Sequence, residues 1–474
     1  MSKIQLYLFA LLIGGVCISS CKKNDQDFKY ATLNEVTITA DSALTVTQFD
    51  TLKFSPAITQ SKPSGETFSY QWKIYPVNYV EGLRPTVIST DKAIKAVISF
   101  PPLPGGYNLE YKVTSNTNGV SAFKIFKVQV NSVFRDGWVV GSSKDNNAQL
   151  GFIRSDYRVF YDPATSVNKT TYPGSTAGAY VYPTSYGAKL SVGFFTDKGS
   201  YIYNANDFLQ SGKSILTFTP LKDRFAFALS RLTSEEYIIN DGNLYAASLI
   251  DDVADATFSD RLTGDYTLFP KVIPSASGTT YFYDNKYKRF MSVYSYSRFT
   301  VSGVLGSSSA VFNMGNTGMT MVGAADGPQA ISTGIFYFVM QDTNGDRYLF
   351  GLNGSRPTLK QKMLSSPEIS SATAFTGSLF LSQIYYASGS NLYLYDILAN
   401  SSKLIYSFPS GSVIKQLTIQ PNNSKSLVVA VNAATSGSVY FFTLDNLGAI
   451  VNNTFSQKID GFGEIANINY RKLN

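Results

Sequence analysis

The chain of 474 residues contains no histidine, and this absence removes several classes of chemistry. A Ser-His-Asp or Cys-His catalytic centre, a zinc site with histidine ligands and an imidazole-based pH switch all require that side chain. Cysteine is nearly absent as well, because the only two residues are Cys17 and Cys21, both close to the N-terminus. Charged residues make up 15% of the chain, against ~25% in a typical soluble protein. Tyrosine and phenylalanine, in contrast, number 32 and 33, which favours a well-packed chain rich in β-strands.

The first twenty residues have the pattern of a bacterial export signal. Lys3 precedes an apolar run over residues 4–16 that is interrupted only by Gln5. This run is too short to span a bilayer and has the length of a signal-peptide core. The sequence therefore predicts a signal peptide over residues 1–20.

The segment Ile18-Ser19-Ser20-Cys21 resembles a lipobox, in which an aliphatic residue and two small residues precede the cysteine that receives the lipid. The resemblance implies cleavage before Cys21, acylation of Cys21 and a tether over residues 21–34. Cys17 is the competing acceptor, although the bulky Val16 before it disfavours this choice. An ordinary secretory signal is the alternative interpretation.

Two further features near the N-terminus bear on location and stability. Lys22 follows the acceptor, as in lipoproteins that are passed to the outer membrane, and Asp25 and Asp27 resemble a surface-export signal. The mature chain would keep a single thiol, so internal disulfides are excluded and its stability must come from core burial. We therefore expect a lipid-anchored protein of the outer membrane, exposed at the cell surface.

The charge distribution gives no indication of a nucleic-acid partner. The formal net charge is +7, of which residues 22–132 and residues 133–474 each carry +3. Neither part contains a basic run of the kind that neutralises phosphates. We predict no binding to nucleic acid.

Residues 35–132 have the alternating pattern of a β-sandwich. Short stretches with a period of two are separated by turns rich in Pro and Gly. The pattern resembles a PKD-type immunoglobulin-like module, although residues 75–78 replace the Gly-Asp-Gly turn usual in that family. The residues that carry the resemblance are Tyr70, Trp72, Ile74, Gly106 and Tyr107. We predict an Ig/PKD-like sandwich in which Trp72 is a core residue and not a ligand-stacking one.

Residues 133–474 contain a long succession of short strands joined by turns with Gly, Asn or Asp. A hairpin over residues 385–396 is echoed over residues 428–442, about 45 residues later, which is the period of propeller blades. The period predicts a β-propeller of seven or eight blades. A large sandwich and a β-helix are the alternatives, but regular hairpins without helices favour a radial arrangement that protects strand edges.

The lipobox, the PKD-like sandwich and the strand that begins Asp136-Gly137-Trp138 together resemble the PKD-like lipoprotein family of Bacteroidota. Members of this family accompany a TonB-dependent transporter and a SusD-like lipoprotein. The resemblance implies a non-catalytic role in capturing a peptide or a glycan for uptake. It implies these protein partners, membrane attachment through the lipid and no cofactor.

No catalytic set stands out, and we predict no catalytic residue and no metal site. A surface glycoside hydrolase with a pair of carboxylates is the alternative, with Glu235 and Glu236 as the first residues to test. An adhesin-like lipoprotein is the third hypothesis. Residues 342–346 resemble the first half of a calcium loop, but the later ligand positions are missing, so a hairpin turn is favoured. The acidic stretch 251–255 is interpreted as a solvated loop.

Most tyrosines in alternating strands pack between neighbouring sheets. Tyr186 and Tyr287 lie at predicted loop positions, where an aromatic ring stacks on a sugar or contacts a partner at low entropic cost. We take these two residues as the candidate ligand-binding side chains.

Overall fold

The computed structural model describes residues 34–41, 43–62, 65–184, 189–230, 235–248, 256–274, 278–294, 299–328 and 334–472. The predicted signal peptide, Cys17 and Cys21 lie outside these residues. Tertiary contacts divide the chain into two compact units, the first ending at Val130 and the second beginning at Asn131. Throughout the described residues the structure is almost entirely β, which confirms the predicted all-β fold class. Nowhere in them is a helix long and apolar enough to serve as a membrane span.

The first unit has the layered architecture of a sandwich. Its strands are β1 (Val36–Thr39), β2 (Ala43–Thr47), β3 (Thr51–Phe54), β4 (Ala57–Gln60), β5 (Phe68–Pro76), β6 (Thr86–Ser89), β7 (Ile94–Val97), β8 (Tyr107–Ser115) and β9 (Ser121–Asn131). A five-stranded sheet has the order β2-β9-β8-β5-β6, and the pairs β1-β4 and β3-β7 form the smaller sheets. Buried residues alternate with partly buried ones along β8 and with exposed ones along the second half of β9, as expected for strands with one face in the core.

Trp72 lies at the centre of the sandwich core and is fully buried. Its ring stacks on Tyr111, with ring centroids 3.9 Å apart, and meets the edge of Phe54. The indole Nε1 donates to the carbonyl oxygen of Asp91 at 2.9 Å, so the polar end of the side chain is satisfied. The predicted core role of Trp72 is therefore confirmed.

In its described residues, the second unit contains seven consecutive antiparallel sheets, which we number in chain order, and one two-stranded parallel pair. The first and the last of the seven are joined into one eight-stranded sheet. Sheet 1 contains β10 (Gly137–Lys144), β11 (Asn147–Arg154), β12 (Val159–Phe160) and β13 (Tyr172–Pro173), and sheet 2 contains β14 (Thr176–Thr184), β15 (Lys189–Thr196), β16 (Gly199–Asn204) and β17 (Gln210–Gly212). The short strands β18 (Ser214–Ile215) and β22 (Ala256–Thr257) pair in parallel, and sheet 3 contains β19 (Phe225–Leu229), β20 (Glu235–Asn240) and β21 (Asn243–Ser248).

The remaining sheets follow the same antiparallel order. Sheet 4 contains β23 (Ile273–Pro274), β24 (Thr279–Asp284), β25 (Arg289–Tyr294) and β26 (Val301–Gly303), and sheet 5 contains β27 (Thr320–Asp326), β28 (Ile335–Gln341), β29 (Arg347–Asn353) and β30 (Arg356–Lys362). Sheet 6 contains β31 (Ala374–Gly377), β32 (Gln383–Ser388), β33 (Asn391–Asp396) and β34 (Ser401–Ser407), and sheet 7 contains β35 (Ser412–Gln420), β36 (Asn423–Ala433) and β37 (Ser436–Thr443). The helices are α1 (Pro163–Asn168) and the 3-10 turns Ile369–Ser371 and Val451–Asn453.

The last strand, β38 (Gln457–Arg471), joins sheet 7 to sheet 1. Its first half pairs with β37, and its second half pairs with β10. β38 therefore connects the two ends of the second unit, and it precedes β10 as the first strand of sheet 1 in space. The sheets recur at a nearly regular spacing along the chain, since the first strands of sheets 2 to 7 begin at intervals of about 38 to 54 residues.

Clusters of buried hydrophobic side chains lie between consecutive sheets. One cluster combines Trp138 and Val140 of β10 with Val428 and Phe441 of sheet 7, so the first and last sheets pack face to face. The other clusters occupy the interfaces between sheets 1 and 2, 2 and 3, 3 and 4, 4 and 5, 5 and 6, and 6 and 7. Each sheet thus buries both faces against its neighbours, as in propellers.

Side-chain amides of β38 and β35 connect neighbouring strands where the first and last sheets of the second unit meet. Asn467 of β38 accepts from the backbone N–H of Ala179 at 2.8 Å and donates to its carbonyl oxygen at 2.9 Å. Gln416 of β35 makes the same two-way contact with the backbone of Ile468, at 2.8 and 2.9 Å. These contacts satisfy backbone groups that no strand partner reaches, and they set the spacing of sheets 7, 1 and 2.

Candidate functional site

A cavity of about 330 Å³ lies where the first strands of sheets 3 to 7 end. The strands β19, β23, β27, β31 and β35 contribute Ala228, Pro274, Asp326, Gly377 and Ile419, each the last or next-to-last residue of its strand. Because these strands occupy equivalent positions in consecutive sheets, their C-terminal ends meet at one place. We refer to this cavity as the central pocket.

The wall of the central pocket is mainly apolar. Its aliphatic and aromatic members are Ala228, Val272, Pro274, Phe336, Leu379, Ile419 and Pro421. Thr376 and Thr418 add hydroxyl groups, and Lys271 and Asp326 are the charged members. A mostly apolar wall with a few polar groups is typical of sites that bind small molecules.

Lys271 and Asp326 form an ion pair within the pocket, with Nζ and Oδ1 2.9 Å apart. Lys271 precedes β23 in sheet 4, and Asp326 ends β27 in sheet 5, so the two are neighbours only in the folded chain. The side chains are 28% and 51% exposed, so solvent and ligands reach both. An ion pair this exposed contributes little to stability, about 0–1 kcal/mol, and is therefore available for recognition.

Gly377 allows β31 to lie directly against the backbone of Asp326 at the pocket wall. A Cβ atom at this position would lie 2.0 Å from the backbone oxygen of Asp326, which is far inside van der Waals contact. Only glycine lets β31 approach β27 this closely. The glycine therefore helps to hold Asp326 at the pocket.

Two ion pairs lie at the opposite end of the same strands. Asp223, which precedes β19, pairs with Lys415 of β35, and Lys222 Nζ lies 2.5 Å from Glu464 of β38. The Lys415 side chain holds the pKa of Asp223 below its ordinary value. Sheet 3 is thus bridged at this end to sheets 7 and 1, which are not its neighbours in chain order.

The structure places Tyr287 away from the central pocket. It lies in the turn after β24, whereas the pocket residue Pro274 pairs with Thr280 at the start of that strand. The extended stretch from Thr280 to Asp284 spans roughly 13 Å, and the turn that contains Tyr287 lies beyond its far end. The Tyr287 hydroxyl donates to Asp265, and the guanidinium of Arg289 lies 4.8 Å from its ring centroid. Tyr287 is 46% exposed but is already engaged with its own neighbours.

The other predicted site residues, Tyr186 and Cys21, lie outside the described residues. The acidic stretch 251–255 is outside them as well. In the 342–346 turn, Asp342 Oδ1 accepts from the backbone N–H groups of Asn344 and Asp346, both at 2.9 Å, as in a hairpin turn. Within the part of the chain that the structure describes, no group of three or more acidic or cysteine residues is arranged to hold a metal ion.

Glu235 and Glu236 point to opposite faces of β20. Glu235 accepts from the hydroxyl of Tyr237 at 2.8 Å, on the face that packs towards sheet 4. Glu236 is fully buried and lies beside Tyr182 of sheet 2. Because side chains alternate along a strand, two successive carboxylates do not flank one glycosidic bond. The remaining glutamates of this unit, Glu368 and Glu464, contact Asn391 and Lys222.

Burial raises the pKa of Glu236 to about 8, and the nearby Tyr182 hydroxyl opposes this shift only in part. Neither carboxylate oxygen has a hydrogen-bond partner among the described residues. The folded protein therefore holds this side chain in its neutral form at pH 7, since an ionised carboxylate without partners is costly to bury.

Glu236 is expected to make the second unit less stable as the pH rises from about 4.5 to about 8. In this window the folded state keeps a proton that the unfolded state has released, so the free energy of unfolding falls with pH. The slope reaches at most about 1.4 kcal/mol per pH unit, or about 2 kcal/mol between pH 5.5 and 7. Denaturant titrations of wild type and Glu236→Gln at both pH values test this, and the slope should be lost in the variant.

The matched control for this prediction is Glu368→Gln, which changes an exposed glutamate of the same unit and should keep the wild-type slope. Equal slopes in wild type and Glu236→Gln would mean that Glu236 is charged in the folded protein. That result would contradict the neutral form inferred from burial.

Sequence reasoning did not find Lys271 and Asp326. They are 55 residues apart and belong to different sheets, and neither lies in a motif. The one signal available was their position next to the first strands of consecutive repeats, Lys271 just before β23 and Asp326 at the end of β27. This signal can be recognised only when it is known which strand is the first of each repeat.

Several solved structures resemble the chain. A quinonprotein alcohol dehydrogenase-like protein from Bacteroides thetaiotaomicron is 13% identical, with a TM-score of 0.50, and the alignment covers 93% of this chain and all of that one. The dihydro-heme d1 dehydrogenase NirN is 10% identical over 76% of this chain and 72% of its own, with a TM-score of 0.39. Hsv2 from Kluyveromyces lactis is 9% identical over 69% of this chain and 96% of its own, with a TM-score of 0.40.

At 13% identity, the likeness to the first of these proteins concerns the fold alone. It supports a propeller-like fold. A search of curated proteins yields no match to the chain. The model of the PKD-like family matches residues 23–180, which confirms the predicted resemblance for this part of the sequence, and the N-terminal region of the protein is a PKD-like domain.

Proposed function

We propose that this protein is a lipid-anchored, non-catalytic binding component of an outer-membrane nutrient-uptake complex, in which the central pocket receives the ligand. The observation that carries the proposal is the pocket itself. It is mostly apolar, holds one exposed ion pair and lies where five sheets meet. Such a wall provides contact area and orientation for a ligand, which is what a capture protein requires.

The second unit is, in this proposal, a seven-bladed propeller, the lower of the two blade numbers that the period predicts. The shared strand β38 would close the ring by completing the last blade and beginning the first. The buried cluster between sheets 7 and 1 and the amide contacts of Asn467 and Gln416 support this closure. A closed ring gives the pocket a rigid wall, so little ordering of the protein accompanies ligand binding.

The membrane anchor and the protein partners in this proposal are inferred from the sequence. Acylation of Cys21 would hold the protein at the membrane, and the PKD-like lipoprotein resemblance implies a TonB-dependent transporter and a SusD-like lipoprotein as partners. The ligand would be a peptide or a glycan. The arrangement of Glu235 and Glu236 on opposite faces of β20 favours binding over glycoside hydrolysis.

Affinity purification of the tagged full-length protein from chemically cross-linked native outer membranes tests the proposal. Mass spectrometry should find a TonB-dependent transporter and a SusD-like lipoprotein enriched over a control purification with an unrelated lipoprotein that carries the same tag. Neither partner would be expected for an adhesin, so their absence would contradict the proposal. Turnover of a glycan by the purified protein would contradict its non-catalytic part.

A further inference from the structure

The ion pair of the central pocket has unused hydrogen-bonding capacity on both sides. Among the described residues, the one side-chain hydrogen bond of Asp326 is the one from Lys271 to Oδ1, so Oδ2 has no side-chain donor among these residues. The Lys271 ammonium has three N–H donors, of which one points to Asp326. A ligand that offers a cation and an acceptor close together therefore binds both residues without breaking their contact.

The first residue of a peptide with a free N-terminus has this arrangement. Its α-ammonium and its carbonyl oxygen are separated by two backbone bonds and one C=O bond, a distance of about 3 Å. The Lys271 and Asp326 heads are 2.9 Å apart. In this arrangement the α-ammonium donates to the Asp326 carboxylate, and the carbonyl oxygen accepts from the Lys271 ammonium. Both hydrogen bonds are charge-assisted.

The surface beside the pocket adds an apolar rim, formed by Phe380, Leu398 and Leu447. These residues are 54%, 87% and 72% exposed, and they lie in three separate loops. Phe380 follows the pocket residue Leu379 in the chain. The apolar surface of the pocket therefore continues outward from its wall.

Hydrogen bonds hold the three loops of the rim together. The backbone N–H of Ile397, next to Leu398, donates to Ser382 at 3.1 Å, and Gln383 Nε2 donates to the carbonyl oxygen of Leu447 at 3.0 Å. The rim is thus a fixed surface, and it suits apolar side chains that follow the first residue of a peptide.

The composition of the pocket favours a peptide over a glycan. Glycan sites depend on exposed aromatic faces for stacking. Among the described residues, the one aromatic ring of the wall, Phe336, is 4% exposed, and the rim adds a single exposed ring, Phe380, beside two leucines. Aliphatic residues supply most of the remaining wall, and they match aliphatic side chains better than hydroxyl-rich sugars. A volume of about 330 Å³ is also near the lower limit of small-molecule sites, which suits a chain end.

We propose that the central pocket binds the free N-terminus of a short apolar peptide, with the α-ammonium on Asp326, the first carbonyl oxygen on Lys271 and the following side chains on the apolar rim. This inference rests on the proposed function and specifies the ligand class of the same pocket.

Isothermal titration of the purified full-length protein with four probes tests the inference. The probes are trileucine, N-acetyl-trileucine, trileucine amide and maltotriose. Trileucine and its amide should bind with similar affinity, because both keep the α-ammonium. Acetylation removes this cation and should weaken binding by about tenfold or more, and maltotriose should not bind.

Two substitutions locate the binding to the pocket. Asp326→Asn should weaken trileucine binding by about tenfold or more, and Asp346→Asn should leave it unchanged. Asp346 is the matched control, because it also pairs with a lysine, Lys362, in sheet 5, in a hairpin turn that contributes nothing to the pocket. Unfolding midpoints of both variants verify that they are folded.

The outcomes separate this inference from the proposed function. Binding of maltotriose but not of trileucine would overturn the peptide inference and leave the binding function intact. Equal binding of acetylated and free trileucine, or loss of binding on amidation alone, would overturn the role of the N-terminus. Failure of all four probes would overturn the inference, whereas the partner purification tests the binding function independently.

Discussion

A Cys21→Ser variant is expected to lose its acyl group and its attachment to the outer membrane completely. In the proposed function, the only connection to the bilayer is the acyl group on this residue, and serine does not provide the thiol that accepts it. Each buried methylene contributes about 0.8 kcal/mol, so two or three acyl chains hold a protein firmly, whereas their removal leaves no anchor. Metabolic labelling with an alkyne fatty acid, followed by separation of inner and outer membranes, should show label and outer-membrane association in wild type and neither in the variant.

Cys17→Ser is the matched control for the anchor, because it removes the other thiol of the chain. It should retain both the label and the membrane fraction. If the label is lost in Cys17→Ser and kept in Cys21→Ser, then Cys17 and not Cys21 is the acylated residue. Wild-type protein without any label would favour an ordinary secretory signal and contradict the lipoprotein interpretation.

Trp72→Ala is expected to destabilise the sandwich by about 3–5 kcal/mol, a large part of the stability of a domain of this size. The substitution removes a fully buried ring that stacks on Tyr111 and touches Phe54. It also leaves the carbonyl oxygen of Asp91 without its donor. Hydrogen exchange of residues 34–130, followed by mass spectrometry along a denaturant series, measures the loss.

Trp72→Phe should cost less than Trp72→Ala, since phenylalanine fills most of the space but does not provide the indole donor. Trp138, the other tryptophan of the chain, lies in the second unit and reports its unfolding by fluorescence in both variants. An unchanged sandwich stability in Trp72→Ala would contradict the core role and return the residue to the candidates for ligand stacking.

Much of the architecture was readable from local patterns. The alternation around Trp72 predicted a sandwich strand with this residue inside, because a strand that is half buried must place every second side chain in the core. The hairpins over residues 385–396 and 428–442 predicted a repeat, and both occupy the same place in their sheets, as the second and third strands of sheets 6 and 7. Such features depend on contacts between residues close in the chain.

The residues of the candidate site could not be predicted from the sequence to the same extent. Tyr287 is aromatic and lies in a turn, which predicts a ligand-stacking role, but that turn lies at the other end of its sheet from the pocket, and the side chain contacts Asp265 and Arg289. Glu235 and Glu236 are neighbours in sequence, but strand alternation places them on opposite faces. A pattern of residue types identifies side chains capable of a chemistry, but it does not bring them to one place.

The sequence by itself determined the all-β class, the PKD-like N-terminal domain, the repeat that leads to propeller-like sheets and the chemistry that a chain without histidine does not perform. Only the tertiary structure decided where the central pocket lies. Lys271 and Asp326 meet because the packing of sheet 4 against sheet 5 brings the segment before β23 next to the end of β27, and β38 reaches β10 across more than three hundred residues of chain. The physical reason is that local periodicity encodes strands and turns, whereas a pocket is formed by side chains that only the packing of successive sheets brings together.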